Sequence, residues 1–378
     1  PLAVAIWAIV GGVFSPIVGR WIDRYGERRV MLAGTVAQVA GTFLLAHITT
    51  LWHLYFLFVI AAIANTANTI IPVSLLISRR FDENRGTAMG VAMLGMGVGG
   101  FIMPILANIL FQQFGWRNSY TIFSFFLMAL LIPLFFWVRP MPRGGQLLAN
   151  GGEFLADAAD NRAGFRSLKT TEAVRTSTFW FLGLGDFLIS IAFTSVTVHM
   201  VAFSTSAGIS QGMATTAYSA FLAVNSLGII IFGAAADKIQ LKGMMVICYG
   251  AAAIAWIFLF QLPALVPLFL FAFIFGITGG GRTALWPLAL GRCFGVAYLG
   301  SILGWLNIPF MIGNSVGPYL AGYIYETTES YRTLFALGVG ISFFAAVFIS
   351  RIRDERMPFQ HQAQQKNEPC APQTPLTG

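Results

Sequence analysis

Apolar residues run along this chain in long unbroken stretches, not in alternation. Eleven stretches approach the roughly 20 residues that a helix needs to cross the hydrocarbon core of a bilayer. They are approximately 1–19, 30–48, 52–77, 86–111, 118–138, 178–204, 214–236, 243–262, 265–289, 299–324 and 331–350. Alternation would point to barrel strands. Continuity points to helices, which satisfy their backbone N–H and C=O groups within the segment, as lipid demands. The expected fold class is all-α and polytopic. A five-run bundle spans 1–138, a polar linker 139–177 and a six-run bundle 178–350. A Gln-, Pro- and charge-rich tail at 351–378 is expected to be disordered.

The charges fall between the runs with one sign of bias. Arg20, Arg24, Arg28 and Arg29 follow the first run, Arg79, Arg80 and Arg85 the third, and the linker and tail carry most of the others. Of 23 Lys and Arg residues, only Arg117 and Arg332 fall on the opposite side, and only Arg282 lies inside a run. Basic residues in short loops favour the cytoplasmic side, so the chain is expected in a cell (inner) membrane with its C-terminus cytoplasmic. One missed or false span would scramble this alternation. It also accounts for the net charge of +8 without nucleic acid as partner.

Composition agrees. The chain is 57% hydrophobic and 10% charged, against about 25% charge in soluble domains, so much of its surface must lie in lipid. Three scattered cysteines (Cys248, Cys293, Cys370) and four histidines give no disulfide framework and no metal pattern. There is no phosphate-binding glycine loop ending in Lys-Ser/Thr and no nucleophile–His–acid set. Neither an ATP-driven pump nor an enzyme is expected, and no cofactor.

A shift of 214 residues brings unusual residues into coincidence. Gly19 falls on Gly233, Asp23 on Asp237, Arg24 on Lys238, Gly86 on Gly300, Gly90 on Gly304, Gly99 on Gly313 and Pro104 on Pro318. The offset copies a basic loop onto a basic loop, so the halves are parallel repeats, one of the known transporter architectures. The second half has six runs and the first has five. The repeat therefore leads us to expect one further span ahead of Pro1.

The stretch Gly19-Arg20-Trp21-Ile22-Asp23-Arg24-Tyr25-Gly26-Glu27-Arg28-Arg29 resembles the signature loop that follows the second span in the major facilitator superfamily. That pattern is Gly, three residues, Asp-Arg, one residue, Gly, then basic residues. Gly19, Asp23, Arg24, Gly26, Arg28 and Arg29 match it, and Gly233, Asp237 and Lys238 form a weaker second copy. Gly95, Gly97, Gly99, Gly100 and Pro104 resemble the family's glycine-rich fifth span. Phe81, Gly86 and Gly90, with Trp180, His199, Gly208 and Ser210, more loosely resemble bacterial monocarboxylate-porter-like members. The resemblance implies twelve spans in two six-helix bundles, a central cavity and rocking between inward- and outward-open states. It makes run 1–19 the family's second span. One departure is the fourth span, where the family often carries a buried arginine and this chain has Asn65, Thr66, Asn68 and Thr69.

Within this frame the signature residues Gly19, Asp23, Arg24, Gly26, Arg28, Arg29 and Asp237 are candidates for a conformational latch, since an aspartate beyond one helix can face the positive N-terminus of another. The plainer reading is a basic topogenic loop. Charges at membrane depth are costly and face a cavity or a partner. Asp186 alone among the acids and Arg282 alone among the bases lie inside runs. Each sits about 10–12 Å from the basic side at 1.5 Å per residue. Arg282 follows Gly279-Gly280-Gly281, a run that weakens a helix and is expected to open backbone to the cavity. Arginine's fork suits a carboxylate, so Arg282 is a candidate for substrate binding, with Asn65, Asn68 and Asn307 as uncharged companions. The alternatives are a fixed pair with Asp186 or snorkelling to the interface. Asp186 and His199 are the candidates for proton coupling. For His199 the alternative is an interfacial hydrogen bond. Trp52, Tyr55, Trp116, Tyr120, Tyr323 and Tyr331 suit an aromatic belt on the far side.

The functional expectation is a monomeric secondary transporter of a small organic solute, first a monocarboxylate-type anion, working by alternating access with protons as the possible coupling ion. The partners are that small molecule and the bilayer. The rival expectations are drug or neutral-solute efflux, or a truncated membrane protein that transports nothing.

Overall fold

The computed structural model of the protein describes residues 2–81, 84–137, 165–353 and 357–358. Its long helices follow the apolar runs. In the first half they are α1 (Leu2–Tyr25), α2 (Glu27–Leu45), α3 (Leu51–Thr66), α4 (Ile70–Arg80) and α5 (Arg85–Trp137). After a four-residue α6 (Thr170–Ala173) come α7 (Ser177–Ser206), α8 (Gln211–Ala235) and α9 (Leu241–Phe258). The chain ends in α10 (Leu265–Phe294), α11 (Leu299–Thr328) and α12 (Arg332–Ser350).

One run is divided differently from the sequence reading. Run 52–77 is two helices, α3 and α4, parted at 67–69. Asn65, Thr66, Asn68 and Thr69 cluster at this break, and Pro72 falls in the first turn of α4, where its missing N–H is tolerated. Runs 86–111 and 118–138 are two helices, as expected, carried here under the one label α5; they meet at a kink where Gly115 leaves the helical region at φ 73°, a conformation open to glycine.

By length and hydropathy alone, seven stretches among the described residues can cross a membrane: Leu51–Arg80, Leu106–Phe136, α7, α8, Leu241–Gln261, α10 and α12. The two halves of the chain meet along two seams.

Those seams are α1 against α11 and α5 against α8. The 214 shift carries α1 onto α8 and residues 85–114 of α5 onto α11, so one seam is the copy of the other. Each closes on a glycine pair. A Cβ on Gly19 would collide with the carbonyl of Gly300, and one on Gly86 with the carbonyl of Gly233. Backbones touch here because neither partner has a side chain.

The second half surrounds an aromatic core. Trp256 meets Phe271 and Phe275 at ring-centroid distances of 5.7 and 5.6 Å, and Phe203 meets Phe335 at 5.4 Å. Tyr331, expected in the far-side belt, is buried in this core at 7% exposure, stacked on Tyr325 at 4.5 Å. Trp52 is 80% exposed.

The linker and tail meet in a short antiparallel pair, Phe165 opposite Pro358 and Arg166 opposite Met357. That part of the tail is ordered against expectation. Residues 138–164, 354–356 and 359–378, with the side chain of Pro104, lie outside the described residues.

Candidate functional site

Two aspartates reach from one half to the other at the basic end. Asp23, on the last turn of α1, accepts hydrogen bonds at Oδ1 from the Gly300 amide (3.2 Å) and at Oδ2 from the Ser301 amide and hydroxyl (2.7 Å each). Gly300 and Ser301 are in the first turn of α11, whose N-cap Tyr298 makes no side-chain capping bond. Asp237, just past α8, repeats the arrangement. It accepts from the Gly86 amide at 2.6 Å and from the Thr87 amide and hydroxyl at 2.9 and 2.7 Å, in the first turn of α5. Each carboxylate supplies, from the opposite half, the acceptor that a helix N-terminus lacks and the negative charge that its dipole favours.

The seven signature residues separate into two groups. Gly19, Asp23 and Asp237 lie in the seams. Arg24 does not: its guanidinium lies over its neighbour Tyr25 at 5.5 Å. Arg28 donates to the Phe135 carbonyl at 2.7 Å and stacks on that ring, tying α2 to the end of α5 within one half. Arg29 is exposed, and Gly26, at φ 83°, makes the turn between α1 and α2. The sequence reading passed over three residues. Thr87 and Ser301 are themselves 214 apart, one step beyond the glycines already paired, so the repeat could have found them. Arg79 donates to Asp23 at 3.1 Å, to Glu27 at 3.5 Å and to the Ala297 carbonyl at 3.2 Å. No local pattern announces it, because its copy at 293 is a cysteine.

The second cluster lies inside the C-terminal bundle. Arg282 of α10 donates from Nη1 to Asp186 Oδ1 of α7 at 2.6 Å and to the Ser190 hydroxyl at 3.4 Å. Its guanidinium lies between the rings of Phe193 and Phe310, at 5.6 and 5.5 Å. Both charges are buried, Asp186 to 1% and Arg282 to 8% exposure. The arginine is not saturated. Its Nε and the hydroxyl of Tyr249, on α9, are buried without a hydrogen-bond partner and line one small cavity beside Phe275 and Thr278. Tyr249 also escaped the sequence reading, since one tyrosine in an apolar run carries no signal.

The three glycines before Arg282 do not loosen α10, which stays helical from Leu265 to Phe294. They make room instead. A Cβ at Gly280 would strike the Asn225 carbonyl of α8, one at Gly279 the Phe193 ring, and one at Gly281 the Cys248 sulfur. Close packing by small residues outweighs their low helix propensity.

The remaining candidates are dispersed. Asn307 donates to the Ser15 hydroxyl at 2.6 Å across the α1–α11 seam, and Asn68 accepts from Thr35 at 3.2 Å. Asn65, at the end of α3, makes no side-chain hydrogen bond with a described residue. His199 has both ring nitrogens engaged, Nε2 with the Pro318 carbonyl at 3.1 Å and Nδ1 with the Tyr331 hydroxyl at 3.2 Å. A carbonyl only accepts, so Nε2 carries the proton and Nδ1 accepts from Tyr331.

Comparison with known proteins supplies the family. The family model described as Major Facilitator Superfamily matches residues 1–216 and 182–377. A monocarboxylate transporter 12 from Xenopus laevis is 25% identical over 348 residues, covering 88% of this chain and 75% of the relative. The crystal structure of the human organic anion transporter MFSD10 shares the fold with a TM-score of 0.72 at 15% identity, covering 91% of this chain and 82% of that one. The Escherichia coli fucose:proton symporter does so with a TM-score of 0.71 at 12% identity, over 92% and 90%. The repeated seams, the paired caps and a family match along almost the whole sequence give one answer: this chain is a multi-pass membrane transporter belonging to the major facilitator superfamily.

Proposed function

We propose that the chain is a secondary active transporter of a small monocarboxylate-type organic anion, working by alternating access in a cell membrane with its C-terminus cytoplasmic. The observation that carries this reading is Arg282, a buried cation whose Nε has no hydrogen-bond partner among the described residues, paired to a carboxylate that a substrate carboxylate resembles. The relative named as a monocarboxylate transporter supports the substrate class.

In the transport step, the substrate carboxylate competes with Asp186 for the guanidinium. Arginine's planar fork accepts a carboxylate through two parallel hydrogen bonds. A proton taken up by Asp186 removes its charge and releases Arg282 to the substrate, so proton and anion move together. Asp186 is the coupling group in this scheme, and His199, with both nitrogens engaged, is a tie between α7, α11 and α12. Asn65, whose side chain makes no hydrogen bond with a described residue, is the uncharged companion. The two aspartate caps form the latch that holds the basic side closed.

A second reading has its own support. The Asp186–Arg282 contact is short and enclosed by two rings, which suits a permanent strut in a transporter of neutral solutes. Uptake of radiolabelled carboxylates into proteoliposomes separates the two. In protein that still folds, Arg282→Ala abolishes carboxylate uptake and Asp186→Asn removes its pH dependence if the anion reading holds. Full uptake by the Asp186→Leu/Arg282→Met double variant, which replaces the pair by apolar packing, would leave the pair a strut.

A further inference from the structure

The α1–α11 seam opens outward into a crevice of about 440 Å³ between α1 and Trp305 of α11. Pro16 and Ile17 line its apolar end, and Arg20, Trp21, Arg24 and Tyr25 the end nearer the basic side. Arg20 and Arg24 stand one helical turn apart on one face. Both are exposed, and neither makes an ion pair with a described residue. Asp23, between them in sequence, points the other way, into the seam.

The repeat shows that the fold does not require this lining. At the copied positions of the α5–α8 seam, Arg20 and Trp21 become Ala234 and Ala235, Tyr25 becomes Ile239 and Trp305 becomes Val91. Only Arg24 keeps its charge, as Lys238. One seam has gained a second cation and three aromatic walls that its twin does without.

The chemistry of the crevice is graded. Ile17, Trp21 and Trp305 are 42%, 44% and 49% exposed on the outer surface of membrane helices, so lipid chains are their natural neighbours. Two unpaired guanidiniums sit where those chains would end. We propose that this crevice binds an anionic phospholipid, its phosphate on Arg20 and Arg24 and its chains along Pro16, Ile17 and Trp305. Because Trp305 belongs to the other half and lies one turn beyond Ser301, the bound lipid bridges both halves beside the Asp23 cap and favours the closed basic side. A free phosphate would use the two arginines but gain nothing from the apolar end.

The test uses the full chain in phosphatidylcholine nanodiscs with a minor fraction of spin-labelled phosphatidylglycerol. Each basic residue near an anionic headgroup is worth about a fivefold preference. The Arg20→Gln/Arg24→Gln variant is expected to lower phosphatidylglycerol retention about thirtyfold, and Lys238→Gln at the copied position to leave it unchanged. Trp305→Val, which gives this wall its twin's side chain, is expected to lower retention without touching charge, and it keeps the question open to test if the double variant does not fold. Inorganic phosphate at millimolar concentration is expected not to compete. Unchanged retention in both crevice variants, an equal loss in Lys238→Gln, or displacement by inorganic phosphate would each overturn the proposal, the last by making the site one for soluble anions.

Discussion

Asp23 and Asp237 cap the same two amides of helices that are themselves copies, yet only Asp23 also holds an arginine. The interiors of the two halves diverge far more. Every fully buried aromatic side chain among the described residues (Trp256, Tyr249, Phe203, Phe221, Phe271, Phe275 and Phe294) belongs to the second half, whereas the largest fully buried side chains of the first half are Ile22, Leu75, Met89 and Met93. The buried ion pair is also in the second half, and Asn68 occupies the position that copies Arg282. The repeat is therefore strict where the halves touch and loose where each is packed. On the proposed alternating-access reading the seams are constrained in pairs, because both close together. Nothing imposes the same contents on the two bundles.

The largest test of that asymmetry is Arg282→Ala. It leaves Asp186 buried and unpaired, and breaking a buried pair in this way costs about 3–5 kcal/mol. Thermal unfolding in detergent is expected to show the full loss, while Asn68→Ala, at the copied position, shifts it little. Comparable losses at both would mean that the halves share more of their interior than their side chains indicate.

A smaller effect is read at Gly313 of α11, which meets the Phe187 carbonyl and Ser190 of α7. Gly313→Leu is expected to cost about 1–3 kcal/mol by overpacking, measured by thermal melts in detergent. A cost within about 0.5 kcal/mol, as for an open surface position, would show that α7 gives way at this contact.

The sequence carried the helices and the seams because both leave regular marks. Apolar runs of span length, one-sided arginines and a constant offset survive without three-dimensional information. It also isolated Asp186 and Arg282, since charge inside an apolar run is conspicuous. Their mutual contact was one of three open readings, and only the depth argument hinted at it. The purpose of Gly279–Gly281 was misjudged because propensity is local, whereas Asn225, Phe193 and Cys248 arrive from three other helices. Tyr249 and Arg79 were invisible for the same reason: each matters through a partner distant in sequence. The break at 67–69 falls in the polar stretch Asn65–Thr69, which an average over a span-length run conceals.

The smallest and most discriminating difference lies between the two caps. Removing either carboxylate deletes charge-assisted hydrogen bonds to backbone amides, worth about 1.5–3 kcal/mol each in well-formed cases, and asparagine retains one acceptor oxygen. Asp237→Asn loses the charge and one of two accepting oxygens, and with it the bond from the Gly86 amide or those from Thr87. Asp23→Asn loses the same and also the contact with Arg79 at 3.1 Å, which in turn reaches Glu27 and the Ala297 carbonyl next to α11. Opening of the basic side should thus rise in both variants, and by about fivefold more in Asp23→Asn, the equivalent of about 1 kcal/mol for a partly exposed ion pair. Spin labels at Arg29 and Gln240, exposed positions on the basic side of the two halves, report opening as a longer distance population. A larger effect from Asp237→Asn would move the dominant latch to the α5–α8 seam. Equal effects would show that Arg79 holds its own half together and adds nothing to the closure between halves.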